Sequence, residues 1–277
     1  MKIGLIAGAG DLPQAVIEGC HVGGHEICVV TLEGTKAVIS GVPSIEKHAA
    51  KLGAISKYFK KHGCTHVCFA GAIERPDFAK LKPDWTGFKV LPRVIAAAKL
   101  GDDALLSNLL SAFESQGFEI IAPQKLCAEL LMPAGYVSAA QMTTIHRADS
   151  EKACRVAREI GALDIGQGAI VCRGLVLAVE AQEGTDAMLE RIVNLPANLR
   201  GTAGARTGVL AKMIKPGQET RVDLPTIGPR TVELAAAAGL AGIVLEAERS
   251  FVLSRESVTQ LADKHGVFIA GLPGASV

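Results

Sequence analysis

The sequence predicts an α/β protein with a Rossmann-like, doubly wound N-terminal domain over residues 1–132 and a mixed α+β domain with a hairpin over 133–277. Three observations lead to this fold class. Aromatic residues make up only 4% of the chain, so Ala, Val, Ile, Leu and Gly carry the apolar content, as in parallel sheets covered by helices. The first half alternates short apolar strands with helices. That alternation stops near Pro133, and two apolar runs split by a two-residue turn follow.

The N-terminal elements are short apolar runs separated by helical segments. Strands are predicted over residues 3–6, 26–31, 67–70 and 119–121, and helices over about 14–20, 91–100 and 103–116. This order of elements predicts a doubly wound sheet.

The second half mixes hairpin and crossover connections. A helix over 150–160 precedes the apolar runs 169–172 and 175–181, which flank Arg173-Gly174 and predict a β-hairpin. Further helices are predicted over about 186–195, 230–238 and 255–265, and further strands over 208–214, 242–247 and 267–270. Residues 198–207, rich in Gly, Thr and Arg, predict a mobile loop.

The bulk properties exclude several classes of protein. A net charge of +1 and scarce aromatic residues argue against a nucleic-acid partner. The chain opens directly on a strand and has seven Cys, an odd number, so we expect a reduced, cytoplasmic protein. No apolar run reaches the length of a membrane span, which leaves loose, peripheral contact with a membrane face open.

A rigid turn ahead of a predicted helix is the most informative segment. It runs from Asp223 through Leu224-Pro225-Thr226-Ile227-Gly228 to Pro229, and Pro is favoured at a first helical position. An acid held just ahead of a helix N-terminus suits a metal-assisted phosphate site. The alternative is a structural Asx turn.

A glycine loop follows the first predicted strand, as Gly8-Ala9-Gly10-Asp11-Leu12-Pro13. Such glycines let backbone N–H groups approach a phosphate, although the third glycine of the dinucleotide fingerprint is missing, so the loop is either a nucleotide contact or a plain tight turn. Gly71 ends another strand, where ligands of open α/β sheets bind. Asp102 precedes a helix, either as its cap or as a ligand contact.

Acidic and basic residues accumulate in the second half. Its acids and one amide are Asp164, Gln167, Glu180, Glu183, Asp186 and Asp223. Carboxylates of this kind bind Mg²⁺, but acids in a first helical turn also simply complement the helix dipole. Lys212, Lys215 and Arg221 are candidates to neutralise phosphates. Lys212 and Lys215 are three apart on a predicted strand, so they should face opposite sides.

Taken together, these segments resemble the LpxI-type UDP-2,3-diacylglucosamine pyrophosphatases of Gram-negative lipid A synthesis. The matching pieces are residues 6–13, Gly71 with Arg75-Pro76, Gly101-Asp102-Asp103, residues 164–167, Glu180 with Glu183-Gly184-Thr185-Asp186, Lys212-Met213, Lys215-Pro216, and Arg221 with residues 223–229. They cover almost the whole chain in order, and the last piece and Glu-Gly-Thr-Asp are the specific ones.

The resemblance implies an enzyme that hydrolyses the pyrophosphate bond of UDP-2,3-diacylglucosamine. Water would attack the α-phosphorus, with Mg²⁺ as cofactor, and release UMP and 2,3-diacylglucosamine 1-phosphate, known as lipid X. Family members look like two-domain proteins that close around their substrate. The acyl chains imply an apolar cleft between the domains and peripheral contact with the cytoplasmic face of the inner membrane. A homodimer is a further expectation, from the apolar second half.

The resemblance also implies roles for individual residues. Asp223 matches the family's essential aspartate and would bind Mg²⁺ with Glu180 or Glu183, or both. Lys215, Arg221 and Glu183 are the other expected catalytic residues. The residues expected to contact substrate are Gly8, Gly10, Asp11, Leu12, Gly71, Asp102, Gln167, Thr185, Lys212 and Thr226. Two other classes stay open: a nucleotide- or NAD-dependent oxidoreductase and a non-catalytic lipid- or nucleotide-binding module.

Overall fold

The computed structural model describes residues 1–35, 37, 39–73, 83–98 and 102–274. The chain divides into two compact units. The N-terminal unit comprises Met1–Glu129 and the short segment Glu219–Asp223, and the C-terminal unit comprises Leu130–Gln218 and Leu224–Val277. The sequence did not predict that a segment from the second half of the chain groups with the first unit.

The N-terminal unit is built on a five-stranded parallel sheet in the order β3-β2-β1-β4-β5. Its strands are β1 (Lys2–Ala7), β2 (Glu26–Leu32), β3 (Ser44–Lys47), β4 (His66–Ala70) and β5 (Glu119–Ile120). Its helices are α1 (Leu12–Val22), α2 (Leu52–Lys61), α3 (Trp85–Ala98) and α4 (Asp102–Glu114). The strand order reverses between β1 and β4, which makes the loops after these two strands the expected ligand-binding edge.

The C-terminal unit is built on a six-stranded mixed sheet in the order β6-β13-β11-β9-β7-β8. Its strands are β6 (Gly135–Tyr136), β7 (Gly168–Cys172), β8 (Leu175–Val179), β9 (Val209–Lys212), β10 (Thr226–Ile227), β11 (Gly242–Glu246), β12 (Phe251–Val252) and β13 (Phe268–Leu272), of which β10 and β12 pair separately. Its helices are α5 (Thr144–Ala162), α6 (Gly184–Val193), α7 (Pro229–Ala237) and α8 (Arg255–His265).

Helices cover both faces of this sheet. Side chains alternate along each strand, so one strand packs against helices on both faces. On β7, Ala169 and Val171 pack with Ala153 and Ala157 of α5. The residue between them, Ile170, packs on the other face with side chains of α6, α7 and α8. Strand β7 therefore contributes to two separate apolar cores.

The structure confirms the α/β class, the Rossmann-like first half and the hairpin, and α7 begins at Pro229 as predicted. Several element bounds were wrong. Helix α5 begins at Thr144, six residues ahead of the predicted start at residue 150. Helix α3 begins at Trp85 rather than near residue 91, and β9 ends at Lys212, so Lys215 lies beyond the strand. Along the described chain, no helix combines the length and the hydropathy needed to cross a membrane.

Candidate functional site

Three residues form a row across neighbouring strands at one edge of the C-terminal sheet. Gly168, the first residue of β7, pairs with Lys212 at the end of β9. Glu180 follows β8 directly and donates its backbone N–H to the carbonyl oxygen of Gly168 at 2.8 Å. The row lies at the carboxyl ends of β8 and β9, where acidic and basic side chains can meet a ligand.

The Glu180 carboxylate is buried, with only 6% of the residue exposed. Its Oε1 accepts a hydrogen bond of 2.7 Å from the Thr185 hydroxyl, in the first turn of α6. Its Oε2 is buried and has no hydrogen-bond partner among the described residues. Since a buried carboxylate oxygen without a partner is costly, this atom is a strong candidate for binding a ligand.

Gly168 provides the space for that carboxylate. A Cβ added at this glycine would lie 2.5 Å from Glu180 Oε2, so any side chain here would displace it. Sequence analysis missed this glycine, although two glycines flank the predicted residue Gln167. The amide Oε1 of Gln167 is itself buried without a partner in the described part of the chain.

Lys212 brings a positive charge to the same row. Only 6% of the residue is exposed, and the ammonium donates a hydrogen bond of 3.0 Å to the carbonyl oxygen of Thr226. An ammonium group has three N–H donors, so this bond leaves it with further donor capacity. That capacity suits an anionic ligand.

Lys215 lies beyond β9 and pairs with Asp164 at 2.7 Å between Nζ and Oδ1. Its backbone N–H donates to the Gln218 side-chain carbonyl at 2.9 Å. The lysine side chain is mostly buried. The expectation that Lys212 and Lys215 share one strand is therefore wrong, and the two residues are held by different partners.

Two of the predicted acids near α6 form surface ion pairs. Glu183 pairs with Arg191 at 2.8 Å, and Asp186 pairs with Arg230 at 2.7 Å. Glu183 therefore differs from Glu180, whose Oε2 has no partner among the described residues. The role of Glu183 in catalysis and metal binding stays a prediction.

Asp223 and Arg221 belong to the segment that groups with the N-terminal unit. Arg221 binds both carboxylate oxygens of Glu219, at 2.9 and 2.7 Å, and reaches Glu114 at 2.8 Å. These hydrogen bonds hold the pKa of Glu219 below its ordinary value and raise the pKa of Arg221. Asp223 is half-buried, and its backbone N–H donates to the carbonyl oxygen of Glu219 at 3.2 Å.

The glycine loop of the N-terminal unit is tied to the loop after β4. The N–H groups of Gly8 and Ala9 donate to the carbonyl oxygens of Ala70 and Ala72 at 2.8 and 2.7 Å. A Cβ at Gly8 would lie 2.4 Å from the Ala72 oxygen, so this glycine permits the close approach of the two loops. Gly71 has a left-handed φ of 89° and meets the first loop in the same way.

The next glycine of that loop, Gly10, forms an isolated parallel β-bridge with Ala37. Gly10 also has a φ of 89°, and an added Cβ there would meet no atom within 4 Å. Asp11 is exposed at the N-terminus of α1 without capping it through its side chain, and Leu12 begins the helix. Asp102 begins α4, but its side chain, like Glu74, Arg75 and Pro76, lies outside the described residues.

No group of three or more His, Cys, Asp or Glu side chains is gathered closely enough to hold a metal in the part of the chain that the structure describes. The donor chemistry at the row nevertheless fits Mg²⁺. That ion takes one or two carboxylates plus substrate oxygens and retained waters, and Glu180 Oε2 is one such oxygen.

Comparison with known proteins decides the family. A model of the LpxI N-terminal domain matches residues 2–130, and a model of the LpxI C-terminal domain matches residues 133–270. The chain belongs to the LpxI family. It is 51% identical over 272 residues to the UDP-2,3-diacylglucosamine pyrophosphatase LpxI of Caulobacter vibrioides, covering 98% of this chain and 97% of that protein. The predicted resemblance is confirmed, and so is the prediction that the chain is a hydrolase.

Similarity to solved structures is weak. The precorrin-6A reductase CobK is 10% identical, with a TM-score of 0.35, over 100% of this chain and 90% of that one. The UDP-glucose 4-epimerase of Thermus thermophilus in complex with NAD is 13% identical, with a TM-score of 0.31, over 99% and 86%. Likenesses this low carry no argument about activity or cofactor.

Proposed function

We propose that this protein hydrolyses the pyrophosphate bond of UDP-2,3-diacylglucosamine, giving UMP and 2,3-diacylglucosamine 1-phosphate. The observation that carries the proposal is the near full-length, 51% identical relative that is named for this substrate. The buried charges at the edge of the C-terminal sheet support it, because a pyrophosphate diester needs positive groups to offset its anionic oxygens.

The residues of the row have complementary tasks in this reaction. The Lys212 ammonium, held in place by the Thr226 carbonyl, neutralises a phosphate oxygen. Thr185 fixes the Glu180 carboxylate by its hydrogen bond to Oε1, which leaves Oε2 directed to another partner. Lys215, paired with Asp164, and Arg221 remain proposed phosphate contacts, and Gln167 offers a buried amide oxygen.

Mg²⁺ is part of the proposal. The ligands expected from the resemblance are Asp223 and Glu180 or Glu183, or both. The partnerless Oε2 supports Glu180, whereas Glu183 is paired with Arg191. When bound, Mg²⁺ would spread the negative charge of the pyrophosphate and lower the pKa of coordinated water. Asp223 is the family's essential aspartate by the resemblance of its motif, and its carboxylate would hold the ion or orient the attacking water at the α-phosphorus.

The N-terminal loop residues remain proposed contacts for the UDP or glucosamine part of the substrate. Since the N–H groups of Gly8 and Ala9 are bonded within the protein, the backbone donors to test are those at Gly10, Asp11 and Leu12. The homodimer also stays a prediction, which sedimentation velocity would test.

The test is product analysis on UDP-2,3-diacylglucosamine in oxygen-18 water, with and without Mg²⁺. We expect UMP and the lipid 1-phosphate only when Mg²⁺ is present, with the label in UMP. Label in the lipid product would show attack at the β-phosphorus instead. Turnover that is unchanged after treatment with a chelator would remove Mg²⁺ from the proposal.

A further inference from the structure

Helix α3 of the N-terminal unit has an exposed face of unusual composition. Its exposed residues recur at helical spacing, and they are Trp85, Phe88, Lys89, Pro92, Arg93 and Ala96. They lie on one side of the helix, because residues three and four apart are neighbours on a helix surface. The described side chains of this face include two aromatic rings and two cations and no carboxylate.

The two aromatic residues begin this face. Trp85 is 73% exposed and Phe88 is 61% exposed, and their rings stack with centroids 6.3 Å apart and an interplanar angle of 14°. Trp85 is the chain's single tryptophan, in a sequence with only 4% aromatic residues. A large aromatic side chain is seldom left in water without a reason, and an adjacent pair marks an interaction site.

The cations follow one and two turns later. Lys89 holds its ammonium 5.2 Å from the centroid of the Trp85 ring, and Arg93 is exposed beyond it. Over the described residues 83–98, the charged residues are Lys89, Arg93 and the single acid Asp84.

The one acid of this stretch is used within the protein. The Asp84 carboxylate accepts hydrogen bonds from the backbone N–H groups of Gly53, Ala54 and Gly87, at 3.2, 2.8 and 2.8 Å. These bonds join the start of α2 to the first turn of α3. The aromatic pair therefore lies at a helix end that these hydrogen bonds fix in place, and the Asp84 carboxylate is directed to backbone donors.

We propose that the exposed face of α3 docks on an anionic lipid bilayer. Trp and Phe suit the boundary between headgroups and acyl chains, while Lys and Arg extend to the phosphates. The proposal extends the proposed function, since an enzyme acting on a diacylated substrate needs access to a membrane surface. It is nevertheless carried by the composition of α3 and does not require turnover.

The experiment uses the purified full-length protein and vesicles of phosphatidylglycerol with phosphatidylethanolamine, compared with vesicles of phosphatidylcholine alone. Binding is measured by vesicle flotation and by the emission of the single tryptophan. We expect binding to the anionic vesicles, a blue shift of the Trp85 emission, quenching by bromine-labelled lipid, and weakening of the binding as salt rises.

Two double variants test the face. Trp85→Ala with Phe88→Ala, and Lys89→Glu with Arg93→Glu, should each reduce vesicle affinity by about tenfold or more. A matched charge control, Arg147→Glu with Lys264→Glu, and a matched apolar control, Leu175→Ala with Val176→Ala, should stay within about twofold of wild type. Circular dichroism and thermal unfolding verify that each variant is folded.

Three results would overturn the proposal: no vesicle binding by wild type, binding that both α3 variants retain, or a Trp85 emission shift that depends on protein concentration without vesicles. The last result would identify a second copy of the chain as the occupant. Failure of the proposed function is separate, since it would be seen as no turnover of detergent-dispersed UDP-2,3-diacylglucosamine while vesicle binding persists.

Discussion

The edges of the two sheets differ in how their polar groups are bonded. At the edge of the N-terminal sheet, the loops after β1 and β4 use backbone donors on each other, and Gly8 and Gly71 allow their contact. At the edge of the C-terminal sheet, buried charged side chains keep unused capacity: Glu180 Oε2 has no partner among the described residues, and Lys212 is buried.

The difference teaches where to look for chemistry. A glycine at a strand end can permit two backbone segments to approach closely. Both segments can belong to the protein itself, so that no ligand is involved. An unsatisfied buried polar atom has a free-energy cost, which a protein offsets elsewhere and which usually marks a function. We therefore expect changes at the C-terminal edge to affect kcat, and changes at the N-terminal edge to affect stability and substrate binding.

The largest expected effect is at Asp223. Asp223→Ala should lower kcat by about 1,000-fold or more, because it removes the proposed metal-binding carboxylate. The control is Asp186→Ala, an exposed partner of Arg230, which should stay within a few-fold of wild type. A near-normal rate for Asp223→Ala would remove this residue from the mechanism.

Lys212→Met should lower kcat about 100-fold, because it removes a positive charge aimed at a phosphate. Its free energy of unfolding should fall by about 1–3 kcal/mol, since the Thr226 carbonyl oxygen loses the hydrogen bond from Lys212. Enzyme assays and urea denaturation check the two halves of the prediction. Equal loss of stability and activity would assign Lys212 a structural role.

Gly168→Ala tests the space that the glycine leaves for Glu180. The added methyl group would displace the end of a flexible side chain, so we expect at least about a tenfold loss in kcat with a small loss of stability. Gly228→Ala is the control, because its nearest atom, Leu253 Cβ, would be 4.0 Å from the added Cβ. Full activity in Gly168→Ala would contradict the role assigned to the Glu180 conformation.

The smallest effects on kcat are expected at the N-terminal edge. Gly8→Ala places a Cβ 2.4 Å from a backbone oxygen and should cost about 1–3 kcal/mol of stability. Gly10→Ala meets no neighbour but must adopt a φ of 89°, and should cost about 1 kcal/mol. Thermal unfolding of both variants measures this order, and a larger loss for Gly10→Ala would reverse it.

Sequence reasoning predicted most of the fold because the apolar runs are distinct and their turns carry Gly or Pro. It placed the start of α3 near residue 91 and so missed the exposed aromatic pair, which lies in a first turn where Gly87 lowers the helix propensity. It also left open whether Glu180 or Glu183, or both, bind the metal, and it gave a catalytic role only to Glu183. Only side-chain contacts distinguish them, because the Arg191 partner of Glu183 and the Gly168 beneath Glu180 are set by the fold.

The most direct test of the account is the affinity of the protein for Mn²⁺ as a Mg²⁺ substitute, measured by electron paramagnetic resonance for wild type, Glu180→Gln and Glu183→Gln. We expect Glu180→Gln to weaken Mn²⁺ binding about tenfold or more, while Glu183→Gln stays near wild type. Wild-type affinity in Glu180→Gln, together with a loss in Glu183→Gln, would contradict it.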